Sequence, residues 1–228
     1  MFIGHYAVGF LAKRAAPQVS LGTLFLAAQF LDLLWPIFLL LGLEHVRVDP
    51  GNTVFTPLDF YDYPLTHSLL GAMGWSLAFA GAYLAVRRSS RNALLLAAVV
   101  LSHWILDFVT HRPDLPLTPG GGTKVGLGLW NSLAGTVTVE GALFVLGVVL
   151  YTRVSGPRDT TGRYSLWSLV ALLTVIWVAG MVAPPPPGPI AVAGAGLGLW
   201  LLIPWAYWIE RHRRLLAEQP ASGGGPEQ

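Results

Sequence analysis

Long apolar stretches separated by short, arginine-bearing connections set the pattern of this chain. An apolar run of about 20 residues, coiled as a helix, crosses the roughly 30 Å hydrocarbon core of a bilayer. Six such runs lie near residues 19–43, 65–86, 92–111, 129–152, 164–184 and 190–209. A further apolar segment, Phe2–Ala12, is bounded by Lys13 and Arg14. As a helix it covers only roughly 15–20 Å, too little to span, so it is expected to be half-inserted. "APPPPGP" (Ala183–Pro189) reads as a rigid, non-helical link between the last two runs. The pattern therefore predicts an all-α, polytopic membrane helix bundle of about six transmembrane helices, with the short N-terminal helix beside them. One domain is expected over 1–214. A flexible tail over 215–228 follows, ending in "AEQPASGGGPEQ".

Charge orients the bundle. If every run spans, Lys13, Arg14, Arg87, Arg88, Arg91, Arg153, Arg158, Arg163, Arg211, Arg213 and Arg214 share one side. Only Arg47, Arg112 and Lys124 remain for the other. Lys and Arg favour the cytoplasmic face. The C-terminal tail is thus expected inside, and residues 44–64 and 112–128 outside, with a bacterial plasma membrane as the expected location. In "MFIGHYAVGFLAKR" the positive charges follow the apolar run. A cleavable signal peptide has the reverse order, so this segment is expected to stay in the mature protein.

Composition narrows the chemistry. Of 228 residues, 54% are hydrophobic and 11% charged, against about a quarter charged in ordinary soluble domains. The net charge of +2 implies no nucleic-acid partner. The absence of cysteine removes disulfides, thiolate metal sites and cysteine nucleophiles together. Any metal must be held by His, Asp or Glu. "PGGGTKVGLG" lacks the spacing of a phosphate-binding loop and reads as an outer loop.

Ionisable groups in hydrocarbon are costly and call for a reason. His5, Asp32, His67, His103 and Asp107 all stand in apolar context, with Glu140 and His111 behind them. His103 and Asp107 are four residues apart and share a helix face. They either converge on an ion or satisfy one another by a hydrogen bond. His111 continues that face, but eight residues of helix span roughly 12 Å, so one ion cannot take both histidines. His111 is left for a second metal, for acid–base work or for the outer interface. Asp32, four residues before Pro36, must be paired, protonated or on a cation; a bend at Pro36 would bring it toward the others. Ser132, Thr136 and Glu140 share a face and form either a polar cavity wall or a helix–helix stripe.

"GHYAVGF" (Gly4–Phe10), "AAQFLDLLWP" (Ala27–Pro36), "YPLTHSLLGA" (Tyr63–Ala72) and "SHWILDFVTHRPDLPLTP" (Ser102–Pro119) follow in one order. In that order the chain resembles the YdjM-like family of membrane-bound, metal-dependent hydrolases over about its first half. The His/Asp order is more loosely similar to helical zinc-dependent phospholipases C and nucleases. The resemblance implies His5, Asp32, His67, His103 and Asp107 as metal-site residues. Where the family pattern carries two acids in a "PDxD" box, this chain has only Asp32.

With N and O ligands and no thiolates, zinc is the expected ion, and manganese or iron would take the same donors. Such an ion would activate water for attack on an ester, expected to be a lipid or lipid-linked phosphoester. Glu140 or His111 would shuttle the proton, and Arg112 and Lys124 would position phosphate at the outer mouth. Membrane lipids are the expected partners. Two other classes fit the same residues: a proton- or metal-coupled transporter, and a non-catalytic adaptor stapled by a metal.

Overall fold

The computed structural model describes residues 1–216, so nearly all of the expected tail lies outside the described residues. The chain is mainly helical. Helix α1 (Ile3–Ala15) is followed by α2 (Leu21–Ala28) and α3 (Phe30–Leu40), then by a hairpin of β1 (His45–Val48) and β2 (Leu58–Asp62). A one-turn helix, α4 (Pro64–His67), leads into α5 (Leu69–Arg87) and α6 (Ser90–Thr110). Two-residue strands β3 (Leu115–Pro116) and β4 (Lys124–Val125) pair ahead of α7 (Leu133–Val154). Then come β5 (Ser155–Pro157), α8 (Thr160–Val182), α9 (Pro189–Gly198), α10 (Leu202–Arg211) and β6 (Arg213–Leu215). The β6 strand pairs with β5, Leu215 opposite Ser155.

Five helical segments are long and apolar enough to cross a membrane: α5, α6, α7, α8, and α9 with α10 as Pro189–Arg211. The α2–α3 pair, bent by 55°, makes a sixth if it is counted as one broken span rather than a re-entrant loop. The run expected at 19–43 is therefore not one straight helix. Nor does it bend at Pro36, which lies inside α3. The break falls at Gln29, where the backbone leaves helical geometry at φ −100° and ψ 5°.

Connections meet in two groups. At one end, β1–β2 reaches the loops that flank β3, β4 and α7: Arg112 bonds Asp59, Lys124 bonds the Tyr61 carbonyl, and Phe55 stacks on Trp130. At the other end, β5 pairs with β6, Lys13 pairs with Glu210, and Gln18 bonds Asn92. This grouping agrees with the alternation read from the arginines.

The short helix α1 is the hub. It packs on α7, α2 and α6, and His5, Tyr6, Ala7, Gly9 and Phe10 are all buried. A helix apolar on every side belongs inside a bundle. Lipid tails are as apolar as leucine, so close backbone approach, not exclusion of water, holds such helices together. Gly147 of α7 provides that approach. A Cβ there would lie 2.8 Å from the Ala7 carbonyl oxygen and 2.9 Å from its Cα.

Candidate metal centre

Three interruptions of helix create the site. The first is the break at Gln29, which puts Asp32 in the opening turn of α3. It also leaves the carbonyl of Ala28, the last residue of α2, to a new partner. In an unbroken helix that oxygen would serve the amide four residues on. Here it accepts a hydrogen bond from His103 Nδ1 at 2.8 Å. The second lies between α4 and α5. Ser68 caps α5 by accepting from Gly71 N, and the His67 carbonyl accepts from Trp104 Nε1 at 3.0 Å. The third is the end of α6, where His111 leaves the helix in extended geometry.

The same rule then applies to three imidazoles: Nδ1 is committed outward and Nε2 faces the carboxylates. For His103 the acceptor is the Ala28 carbonyl. For His67 it is Thr66 Oγ1 at 2.7 Å, whose own proton goes to Glu44 Oε2 at 2.7 Å. Buried Glu44 also accepts from the amides of Leu65 and Thr66. For His111 it is Asp114 Oδ1 at 2.9 Å, which also accepts from the Tyr63 hydroxyl at 3.0 Å. Partners of this kind fix the tautomer and aim the free nitrogen at a metal.

The free nitrogens converge. His67 Nε2 lies 3.4 Å from Asp32 Oδ1 and 3.7 Å from Asp107 Oδ2. His103 Nε2 lies 3.5 Å from Asp32 Oδ1 and 3.2 Å from Asp107 Oδ2. A tetrahedron with metal–ligand bonds of roughly 2.0–2.1 Å has edges of about 3.3–3.4 Å. These four separations, 3.2–3.7 Å, are of the order of such edges. His103 Nε2 makes no hydrogen bond despite its two carboxylate neighbours. Its lone pair faces acceptors, an arrangement that requires a cation or a proton between them. Two trios have ligand atoms within 4.8 Å of one another: Asp32, His67 and His103, and His5, His103 and Asp107. This His/Asp cluster has the donors and the spacing to hold a metal ion.

His5 is the third member of the trio with His103 and Asp107. Its ring stacks on that of His103, centroids 3.6 Å apart, and its Nε2 lies 3.1 Å from Asp107 Oδ1. The Met1 ammonium meets the same oxygen at 2.5 Å. The two oxygens of Asp107 thus serve different partners, with Oδ2 turned to His67 and His103. His111 Nε2 is 4.0 Å from Asp107 Oδ1, at the edge of the cluster.

A cavity of about 230 Å³ opens on these groups. Asp32, His67, Asp107 and His111 form its polar floor, and Trp35, Phe55, Phe60, Tyr63 and Trp130 are among its walls. The remaining candidates lie elsewhere. Glu140 is buried behind the N-terminal turn, accepting from Phe2 N at 3.1 Å, and does not line the cavity. Thr136 and Ser132 bond within the start of α7, to Leu129 O and Gly135 N. Arg112 is engaged by Asp59 and Asp114, and Lys124 by the Tyr61 carbonyl. Neither basic residue lines the cavity.

Sequence reasoning overlooked Glu44, Thr66, Tyr63 and Asp114. Thr66 and Asp114 sit inside the quoted "YPLTHSLLGA" and "THRPD" stretches, next to and three residues beyond a histidine. Glu44 carries no such signal, since its partner Thr66 is 22 residues away. No family model matches the chain, and neither the curated proteins nor the solved structures yield a match.

Proposed function

We propose that this chain is a membrane-embedded, metal-dependent hydrolase acting on an ester carried by a lipid, in the manner of the YdjM-like family. One observation carries the reading. His67 and His103 turn Nε2 to carboxylate oxygens of Asp32 and Asp107 at 3.2–3.7 Å, within two trios of ligand atoms that share His103, and both histidines are locked from behind.

Zinc suits this donor set, with manganese and iron next in fit. Such an ion, when bound, lowers the pKa of water and polarises an ester oxygen. The chain's own groups supply the rest. His5 holds Asp107 from its Oδ1 side. His111 faces the cavity with Nδ1 fixed by Asp114, so its Nε2 is free to take a proton from the nucleophile and return it to the leaving group. Aromatic walls favour an acyl or isoprenoid chain over a free polar metabolite. Among the described residues no lysine or arginine lines the cavity, so a phosphoester would be neutralised by the metal rather than by Arg112 or Lys124. The arginine bias supports a cytoplasmic C-terminus in a bacterial plasma membrane, with the cavity toward the outside.

The test is direct. Purified full-length protein is analysed for metal and offered a panel of lipid phosphoesters beside the His103→Ala variant. Bound metal and cleavage, both lost in the variant, are expected. Absence of metal, or cleavage that survives the substitution, ends the hydrolase reading. The bent α2–α3 pair is a feature shared with transporters, so the same preparation is tested for ion flux in proteoliposomes, where none is expected.

A further inference from the structure

The basic end of the bundle holds a second cavity, of about 440 Å³, unconnected with the His/Asp cluster. The last turn of α7, strand β5, the start of α8 and strand β6 enclose it. Thr152, Ser155, Arg163, Trp167, Arg213 and Arg214 line it, and among the described residues no lining residue is acidic.

Arg213 sets its character. It is 5% exposed. Its Nε donates to Ser155 Oγ at 3.0 Å, one terminal nitrogen donates to the Gly162 carbonyl at 2.9 Å, and the other donates to the Ser155 carbonyl. The Tyr151 ring lies 5.3 Å from the guanidinium carbon. Every one of these partners is neutral. A buried cation without an anion is costly, and burial pulls the Arg213 pKa below the ordinary arginine value. The carboxylates of this end, among the described residues, are committed elsewhere. Asp159 accepts from His212 and Gly162, and Glu210 pairs with Lys13. A guanidinium has five N–H groups, and the three hydrogen bonds leave two of them.

Arg163 and Arg214 stand exposed at the mouth, beside Trp167, which is 52% exposed. A basic pocket between transmembrane helices at this level is the form taken by anionic headgroup sites. An exposed tryptophan at the same level suits the headgroup boundary. We infer that the Arg163–Arg213–Arg214 pocket binds the phosphate of an anionic phospholipid in the leaflet at the basic end. Arg213 is its fixed floor, Arg163 and Arg214 are its arms, and Leu166, Trp167 and Leu216 meet the lipid's apolar part. That apolar wall is why a lipid, and not free phosphate, is the ligand.

The experiment reconstitutes the full chain in phosphatidylcholine nanodiscs with and without phosphatidylglycerol, and reads retained lipid by native mass spectrometry. Phosphatidylglycerol is expected to be retained selectively. Arg163→Gln and Arg214→Gln should each weaken retention about fivefold and leave the metal content unchanged. Arg213→Gln is not used, because its bonds also hold β5 to α8. Equal retention of the two lipids overturns the proposal. So does an Arg163→Gln/Arg214→Gln double variant that binds like the parent, or full displacement of the lipid by inorganic phosphate.

Discussion

The Nδ1 of His103 donates to the carbonyl oxygen of Ala28 across 2.8 Å, tying the middle of α6 to the broken end of α2. This bond leaves the His103 Nε2 lone pair aimed at two carboxylates. Removing the imbalance by His103→Ala is expected to abolish stoichiometric metal binding, read by elemental analysis. Chelation should lower the melting temperature of the parent, because a ligand bound only by the native state stabilises it. The variant should show no further drop on chelation. A variant that keeps its metal contradicts the assignment.

Thr66 links Glu44 to His67 and touches neither the cavity nor the ion's place. Thr66→Val keeps the shape and removes the link. Metal affinity should fall by about 10–100-fold, the usual cost of losing an outer partner, in a competition titration against a chelator. Thr66→Ser should restore it. Equal affinities for Val and Ser would show that the relay is idle.

His111 is assigned to proton transfer, not to the ion. His111→Ala should slow turnover by about 10²–10⁴-fold while the metal content stays as in the parent. If the metal leaves with the imidazole, His111 is a ligand instead.

Gly147→Ala tests the α1–α7 contact. The added methyl meets Ala7 backbone, which cannot step aside as a flexible side chain would. A loss of about 1–3 kcal/mol is expected, measured by thermal or denaturant unfolding in detergent. Unchanged stability would mean that the helices are farther apart.

Asp159 caps α8 by accepting from Gly162 N at 2.7 Å and also accepts from His212 Nδ1 at 2.8 Å. The His212 bond first, and the Gly162 amide second, hold its pKa below the ordinary 3.8. A carboxylate depressed by folding stabilises above its unfolded pKa and loses that contribution as pH falls through the folded value. Asp159→Ala should therefore melt earlier than the parent at neutral pH. The gap should hold down to about pH 4 and close only below it. A gap that closes between pH 7 and 5 assigns the effect to another group.

Much of the architecture was legible because hydrocarbon leaves few options. An apolar run long enough to cross becomes a helix, and arginines sort its ends. His5, Asp32, His67, His103 and Asp107 were visible for the same reason, as ionisable groups where none should be free. The bend was misplaced because Pro36 is the obvious breaker by composition. Yet Pro36 stays in α3 and packs toward Gly196 of α9, while the chain breaks at Gln29. A break without proline or glycine leaves no mark in the sequence. Glu44 and Asp114 were passed over because an acid in a connecting segment reads as solvated; both are buried. Arg112 looked available for substrate for the converse reason. Its partner Asp59 lies 53 residues away, a distance that pattern reading does not cross.

The burial of α1 also bears on how the protein is made. Its 13 residues are too short to settle across a bilayer unaided, and its chief partner α7 begins 118 residues after α1 ends. His5, Asp32, His67, His103 and Asp107 all precede α7. The whole donor set therefore leaves the ribosome before the helix that seats α1 most extensively.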